Sequence, residues 1–320
     1  MDYEKLKKSD LPPIAFGTWA WGSGINGGSM MFGKTTDTAE IMKAFDAAQK
    51  SGFTVWDTAA VYGMGSSELL LAKCAGQNPD IIYSTKFTPT TFLQPQSAME
   101  KAIDRSLERL QRSHIDIYWI HLPANVKKWT TEIIPLVQKK KVKYVGLSNH
   151  SLTQLKAAQQ ILNAAEIPLS AIQNHYSLLY RASENSGILD WSKENEIPFF
   201  AYMVLEQGVL TGKYTPDNPF PRLSNRGHSY PKRKLEKIKP LLAVLKSIAD
   251  AHGTESSAIA ISWAISKGTI PLVGITKASH LRACSEAISL FLSPAEIQTL
   301  EETANTLAVN TKGLWEKRMV

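Results

Sequence analysis

Four side chains able to hold or move a proton stand at or just after the ends of short apolar runs. Asp57 closes the run Val55-Trp56-Asp57, and Tyr62 follows five residues later, immediately before Gly63. Lys86 ends Ile81-Ile82-Tyr83-Ser84-Thr85-Lys86, and His121 ends Ile115-Asp116-Ile117-Tyr118-Trp119-Ile120-His121. If these three runs are neighbouring parallel strands, Asp57, Tyr62, Lys86 and His121 meet at one rim. A phenol has an ordinary pKa of about 10 and keeps its proton at neutral pH. A nearby ammonium favours the phenolate and brings that pKa toward the working range, which makes Tyr62 a better general acid. Lys86 would supply the charge and Asp57 would pair with it. His121 would orient a substrate oxygen or share in proton transfer. The set suits protonation of a carbonyl oxygen. Each residue has a plainer reading alone, as a turn tyrosine, a satisfied histidine or a structural ion pair. Their place at three successive strand ends favours chemistry.

Those strands belong to an alternating pattern. β-rich runs occur at 53–57, 81–86, 115–121, 142–148, 170–173, 198–203, 270–274 and 288–292, with helical stretches between them. Asp37-x-x-Glu40, Ser97-x-x-Glu100, Ser151-x-x-Gln154 and Ser293-Pro294-Ala295-Glu296 have capping-box spacing, in which an acid or amide reaches back to the first residue's N–H. Met99, Ile103, Leu107 and Leu110 recur on one helical face, as do Ile41, Phe45 and Ala48, and Gly52 stops the latter helix. Parallel strands buried on both faces read as continuous apolar runs, as these do. Eight such β–α units predict a (β/α)8 barrel in a single domain over residues 1–320, with a doubly wound sheet as the alternative. Residues 1–36 read as an N-terminal plug with an irregular loop. Residues 213–236 read as a long loop too rich in proline to pack as an element.

Composition limits the rest. The chain has 320 residues, 43% hydrophobic and 20% charged, as expected of a globular protein with an ample core. No apolar run reaches the roughly 20 residues that span a bilayer, and the first residues lack a secretory apolar stretch. Cys74 and Cys284 are too few for a disulfide framework and are not at metal-site spacing. The expectation is a cytoplasmic protein without a metal site or a membrane partner. The net charge of +7 gathers at 127–128, 139–143 and 222–239 without a nucleic-acid-binding signature. A positive field would also favour a phosphate-bearing cofactor.

The motifs then resemble a known family. Asp57-Thr58-Ala59-x-x-Tyr62-Gly63, Ser84-Thr85-Lys86 and Ile120-His121 resemble the signature of the aldo-keto reductases, over nearly the whole chain. Phe16-Gly17-Thr18-Trp19-Ala20-Trp21-Gly22, Val145-Gly146-Leu147-Ser148-Asn149 and Ile172-Gln173-Asn174 extend the likeness. Leu205-x-x-Gly208-x-Leu210-Thr211-Gly212-Lys213-Tyr214 is most similar to the branch containing the potassium-channel β subunits and their bacterial relatives. The resemblance implies reduction of an aldehyde or ketone, or the reverse, by hydride from nicotinamide C4 and a proton from Tyr62. The alternative is a cofactor-binding regulatory subunit of a membrane channel.

The resemblance also implies NADP(H) or NAD(H), and the chain carries no GxGxxG glycine loop. Ser148, Asn149 and Gln173 would bond the carboxamide, and Tyr202 would stack on the nicotinamide ring. Gly17, Thr18, Trp19 and Asp57 would line the adjoining ribose. Leu205, Gln207 and Gly208 would approach the pyrophosphate, with Met203 packing nearby. Gly274, Thr276, Lys277, His280 and Cys284 would surround the adenosine end, where Ala283-Cys284 replaces the family's Glu-Asn. Met203-Val204 likewise stands where serine and proline are usual. Lys277, with Arg222 and Arg226, favours NADP(H) over NAD(H). Trp19, Trp21, Tyr62, Trp119, His121 and the 24–33 loop would wall a pocket for a small carbonyl or alcohol.

Overall fold

The computed structural model describes residues 3–33, 37–89, 94–95, 97–222, 224–313 and 315–316. Its eight strands are β1 (Ala15–Gly17), β2 (Val55–Asp57), β3 (Ile82–Phe87), β4 (Ile115–Ile120), β5 (Val142–Ser148), β6 (Leu169–His175), β7 (Phe199–Tyr202) and β8 (Ile270–Gly274). All neighbours run parallel, and β1 pairs with both β2 and β8, closing a (β/α)8 barrel. Closure leaves no unpaired edge.

Two strand assignments shift. The first strand lies inside the segment read as a plug, because Ala-Phe-Gly is too short to show a period. The run at 288–292 is the end of the helix Leu281–Ser289 and the chain after it. With β1 already seated on β8, that run has no strand to join, and Phe291 is left 91% exposed. The ordinals of the intervening strands therefore rise by one.

Side-chain alternation divides the core in two. Ala15, Val55, Ile117, Trp119, Ala171, Phe200 and Ile270 fill the barrel interior, while Phe16, Trp56, Tyr118 and Ile172 face the helices. Leu6 and Leu11 pack on the interior cluster beside Val55 and Ile270, which begin their strands. The first residues thus plug the N-terminal mouth, and the polar strand ends open at the other.

The helices start where the caps place them, at Thr38, Ala98, Leu152 and Pro294. Full capping boxes form at Ser151 and Ser293, Asp37 caps through Ala39 N, and Ser97 makes no side-chain cap. Gly52, at φ +79°, is left-handed after the helix Thr38–Lys50, a conformation cheap for glycine. The segment 213–236 is more ordered than its prolines imply: it holds the helix Asn225–Ser229 and the start of the helix Lys232–Ala251. Among the described residues no helix is long and apolar enough to cross a membrane.

Candidate active site

β2 and β3 bring Asp57 and Lys86 together at the C-terminal mouth. Asp57 is level with Gly17 on one side and Ser84 on the other, and Lys86 is level with Trp119. The Lys86 ammonium donates to one Asp57 carboxylate oxygen and, at 2.8 Å, to the Thr58 carbonyl. The other oxygen accepts from Ser84 Oγ at 2.6 Å and Gln173 Nε2 at 3.1 Å. Both members of the ion pair are 1% exposed. Buried charges persist only with partners of this kind, and losing one partner leaves the other uncompensated.

Tyr62 reaches the pair through a tight turn. Gly63, Met64 and Gly65 follow it at φ +57°, +54° and +93°, all left-handed. A Cβ at Gly63 would strike Ser66 Oγ and the Ser23 backbone, so the glycine after the tyrosine is sterically required. The Tyr62 ring centroid lies 5.2 Å from Lys86 Nζ. Trp19 stacks on the ring at 5.6 Å, and His121 meets it edge-on at 6.3 Å.

The electrostatics correct one expectation. Burial first, and the Asp57 carboxylate second, push the Tyr62 phenol well above its ordinary value. Lys86, 5.2 Å from the ring centroid and bonded to Asp57, does not outweigh these two effects. Burial also draws the ammonium below its usual value, against the pull of Asp57. His121 falls to about 3 through burial, then through repulsion from Lys86. Its Nδ1 is 2.9 Å from Thr88 Oγ1, so this neutral imidazole is held in a fixed orientation. At neutral pH Tyr62 carries a proton and His121 carries no charge.

The opposite side of the mouth is amide-rich. Asn149, left-handed at φ +64°, donates to the His121 carbonyl at 2.9 Å and to Ser148 Oγ at 3.1 Å. Its Oδ1 lies 2.6 Å from the Tyr202 hydroxyl, which is also 3.0 Å from Glu316 Oε1 and 3.3 Å from Trp315 Nε1. After β7, Met203, Glu206, Gln207 and Gly208 are all left-handed. Gly17 is paired level with Gly274, so the first and last strands meet beside Thr18 and Thr276. Lys277 and His280 are exposed there. Partial burial first, then Lys277 and Lys213, hold the His280 imidazole below its usual value, which places both ammoniums near it.

Several expected residues lie elsewhere. Trp119 is wholly buried inside the barrel, donating to Ser84 Oγ at 2.6 Å and filling the space over Gly146, so it is no pocket wall. Its interior register supports Asp57 through Ser84 instead. Trp21 packs against Trp56 at 5.3 Å and donates to the Ile275 carbonyl at 2.7 Å, outside the mouth. Cys284 is 1% exposed within the core and presents no surface to a cofactor, and burial pushes its thiol up to about 12. Arg226 is engaged by the carbonyls of Gln207 and Phe32 and by the faces of Phe32, Tyr214 and Phe220. It is a clasp between loops, not a loose phosphate ligand.

Other participants were not singled out from sequence. Ser84 shares the inward face of β3 with Lys86, a period-two relation open to inspection beforehand. Thr88, just past the same strand, had no comparable signal. Trp315, which meets Trp19 edge-on at 5.7 Å, and Glu316 come from a segment with no motif at all.

The profile of the Aldo/keto reductase family matches residues 13–305, and the chain belongs to that family. A chloroplastic pyridoxal reductase of Arabidopsis thaliana is 30% identical, over 94% of this chain and 86% of its own. An NADP(+) aldo-keto reductase of Schizosaccharomyces pombe is 28% identical, over 95% and 92%. In three dimensions a glycerol dehydrogenase from Gluconobacter oxydans shares the fold with a TM-score of 0.79 and 24% identity, over 95% of this chain and 94% of its own. The chain is an NAD(P)H-dependent oxidoreductase acting on a carbonyl group. None of the relatives named here is a channel subunit.

Proposed function

We propose that this protein is an NADP(H)-linked reductase of small aldehydes or ketones in which Tyr62 delivers the proton. The observation that carries this reading is the Lys86 ammonium, bonded to Asp57 and 5.2 Å from the Tyr62 ring centroid at the barrel mouth. A raised phenol pKa suits the task. Tyr62 holds its proton at rest and releases it only to a strongly basic acceptor, which a carbonyl oxygen becomes as negative charge develops on it. The ammonium then offsets the charge passing to the phenol oxygen. His121, neutral and held by Thr88, orients the carbonyl through a hydrogen bond without competing as an acid. Trp19, Tyr62, His121 and Trp315 wall the substrate space.

The nicotinamide supplies the hydride when bound. The residues present fit such a cofactor. Asn149 and Gln173 offer amides, and Ser148 a hydroxyl, to a carboxamide that both donates and accepts. Tyr202 offers an aromatic face beside them. Gln207 and Gly208 present left-handed backbone toward a pyrophosphate, the kind of concavity that binds anions. Lys277, with Lys213 and His280 close by, favours a 2′-phosphate over a free hydroxyl. Thr276 and Gly274 complete that end.

Steady-state turnover with NADPH and with NADH, across a panel of aldehydes and ketones, tests the reading. The expected kcat/KM with NADPH exceeds that with NADH by about tenfold or more, and Lys277→Ala narrows the gap while leaving NADH unaffected. Equal use of the two cofactors by the wild type, unchanged in Lys277→Ala, would remove the assignment of the phosphate site.

A further inference from the structure

Tyr62 and Lys86 are tied together through the chain as well as through space. The turn after Tyr62 leads directly into the helix Ser66–Ala75, whose first three residues each reach a different neighbour. Ser66 Oγ accepts from Ser23 N at 2.9 Å. Ser67 Oγ donates to the Thr18 carbonyl at 2.8 Å, accepts from Thr58 Oγ1 at 3.1 Å and lies 2.7 Å from Thr18 Oγ1. A hydroxyl has one proton and two lone pairs, so these three contacts use all of Ser67. Glu68 accepts from Thr85 Oγ1 at 2.6 Å and from Arg109 Nε at 2.5 Å, which seats the helix against β3. Thr18, Thr58, Ser67, Glu68 and Thr85 are all fully buried.

Thr58 is where this network meets the reacting groups. Just past the end of β2, its N–H donates to the Ser84 carbonyl at 2.8 Å. Its own carbonyl accepts from Lys86 Nζ at 2.8 Å, and its hydroxyl donates to Ser67. Two of the three heavy branches at Thr58 Cα are thus pinned, and the third carries the carbonyl to Lys86. An ammonium has three protons, of which Asp57 and Thr58 take two. The third is left for the side where the Tyr62 ring lies. With the Thr58 carbonyl displaced, the ammonium can turn about its bond to Asp57, and the third proton loses its aim.

We propose that Thr58, through its hydroxyl, and Ser67 are positioning residues for proton transfer: the bond between them fixes the carbonyl that aims the Lys86 ammonium at Tyr62. The inference rests on the reading of Tyr62 as the proton donor and of Lys86 as the cation that offsets its charge. Both side chains are wholly buried and bonded within the protein, so the bond acts on the chemical step and not on binding.

The test measures single-turnover NADPH oxidation with the most active aldehyde of the panel, which separates chemistry from product release. Steady-state KM and NADPH titration by tryptophan fluorescence accompany it. Two substitutions set shape against bonding. Thr58→Val keeps the branched shape and loses the hydroxyl, whereas Thr58→Ser loses a methyl and keeps the hydroxyl. Thr58→Val is expected to slow the single turnover by about 5–10-fold, with KM and NADPH Kd within about twofold. Thr58→Ser should stay within about twofold of the wild type in all three. Packing alone predicts the opposite order, since valine is the closer match in shape. Ser67→Ala should slow the step at least as much, and adding Thr58→Val to it should slow it no further. Should Thr58→Val not fold, Ser67→Ala carries the test, and a wild-type single-turnover rate in it would overturn the inference. A wild-type rate in folded Thr58→Val, equal losses in Thr58→Val and Thr58→Ser, or losses confined to KM would also overturn it, while leaving Tyr62 as the donor. Wild-type turnover in Tyr62→Phe would overturn the reading beneath it.

Discussion

On the β2–β4 side of the mouth a single ammonium, Lys86, is held by the Asp57 carboxylate and the Thr58 carbonyl. On the β6–β7 side a single imidazole, His175, lies between two carboxylates, Glu206 and Glu316. Both clusters are buried, but they differ in assembly and in redundancy. The first draws its ion pair from adjacent strands and has one cation for one anion. The second joins positions 175, 206 and 316, and either carboxylate can be lost with the other still beside the imidazole. A pair without redundancy fails when one member goes, whereas a triad loses part of its hold.

That contrast sets the largest expected effect. Lys86→Met leaves Asp57 buried without its cation and should cost about 3–5 kcal/mol of stability as well as turnover. Glu206→Gln, which leaves Glu316 on His175, should cost only about 1–3 kcal/mol. Denaturant unfolding of the two variants measures both. Equal losses would show that redundancy has no bearing on the difference.

The two sides should also fail at opposite ends of the pH scale. His121, lowered by burial from 6.5 to about 3, is neutral in the fold. The unfolded chain binds a proton at this position first, so its contribution is complete above about pH 6.5 and is lost as pH falls toward 3. His175, raised to about 9, contributes fully below its unfolded value, and that contribution is lost as pH rises through 9. Thermal unfolding from about pH 4 to about pH 10 should show both limbs, with the alkaline one missing in His175→Gln. A His175→Gln variant with the wild-type alkaline slope would contradict the assignment.

A smaller effect sharpens the picture of the catalytic side. Trp119→Phe removes the N–H that holds Ser84 Oγ at 2.6 Å while keeping most of the interior packing. It should cost about 0.5–1.5 kcal/mol, with substrate KM unchanged because the residue lines no pocket. A marked change in substrate preference would restore Trp119 to the pocket wall.

How far the sequence could be read follows the same division. Asp57, Lys86 and His121 each sit at or just past a strand end, and Tyr62 precedes a glycine that its turn requires, so local pattern exposed them. The barrel was legible because its strands are continuous apolar runs between capped helices. β1 escaped notice because three residues are too few to show a period, and 288–292 looked like a strand because an apolar helix end and strand share composition. Trp119 and Trp21 were read as pocket walls on residue type alone, but which way an aromatic ring faces depends on strand register. Ser84 could have been found from its alternation with Lys86. No local pattern links His175, Glu206 and Glu316, since their meeting depends on the path of the chain after Leu307.

The most direct test of the chemistry assigned to this mouth is Tyr62→Phe, with NADPH binding and aldehyde-dependent NADPH oxidation measured on the same preparation. Binding should be retained and kcat should fall by about 10²–10⁴-fold, the usual contribution of a positioned acid. Wild-type turnover in that variant would mean that the proton comes from somewhere other than Tyr62.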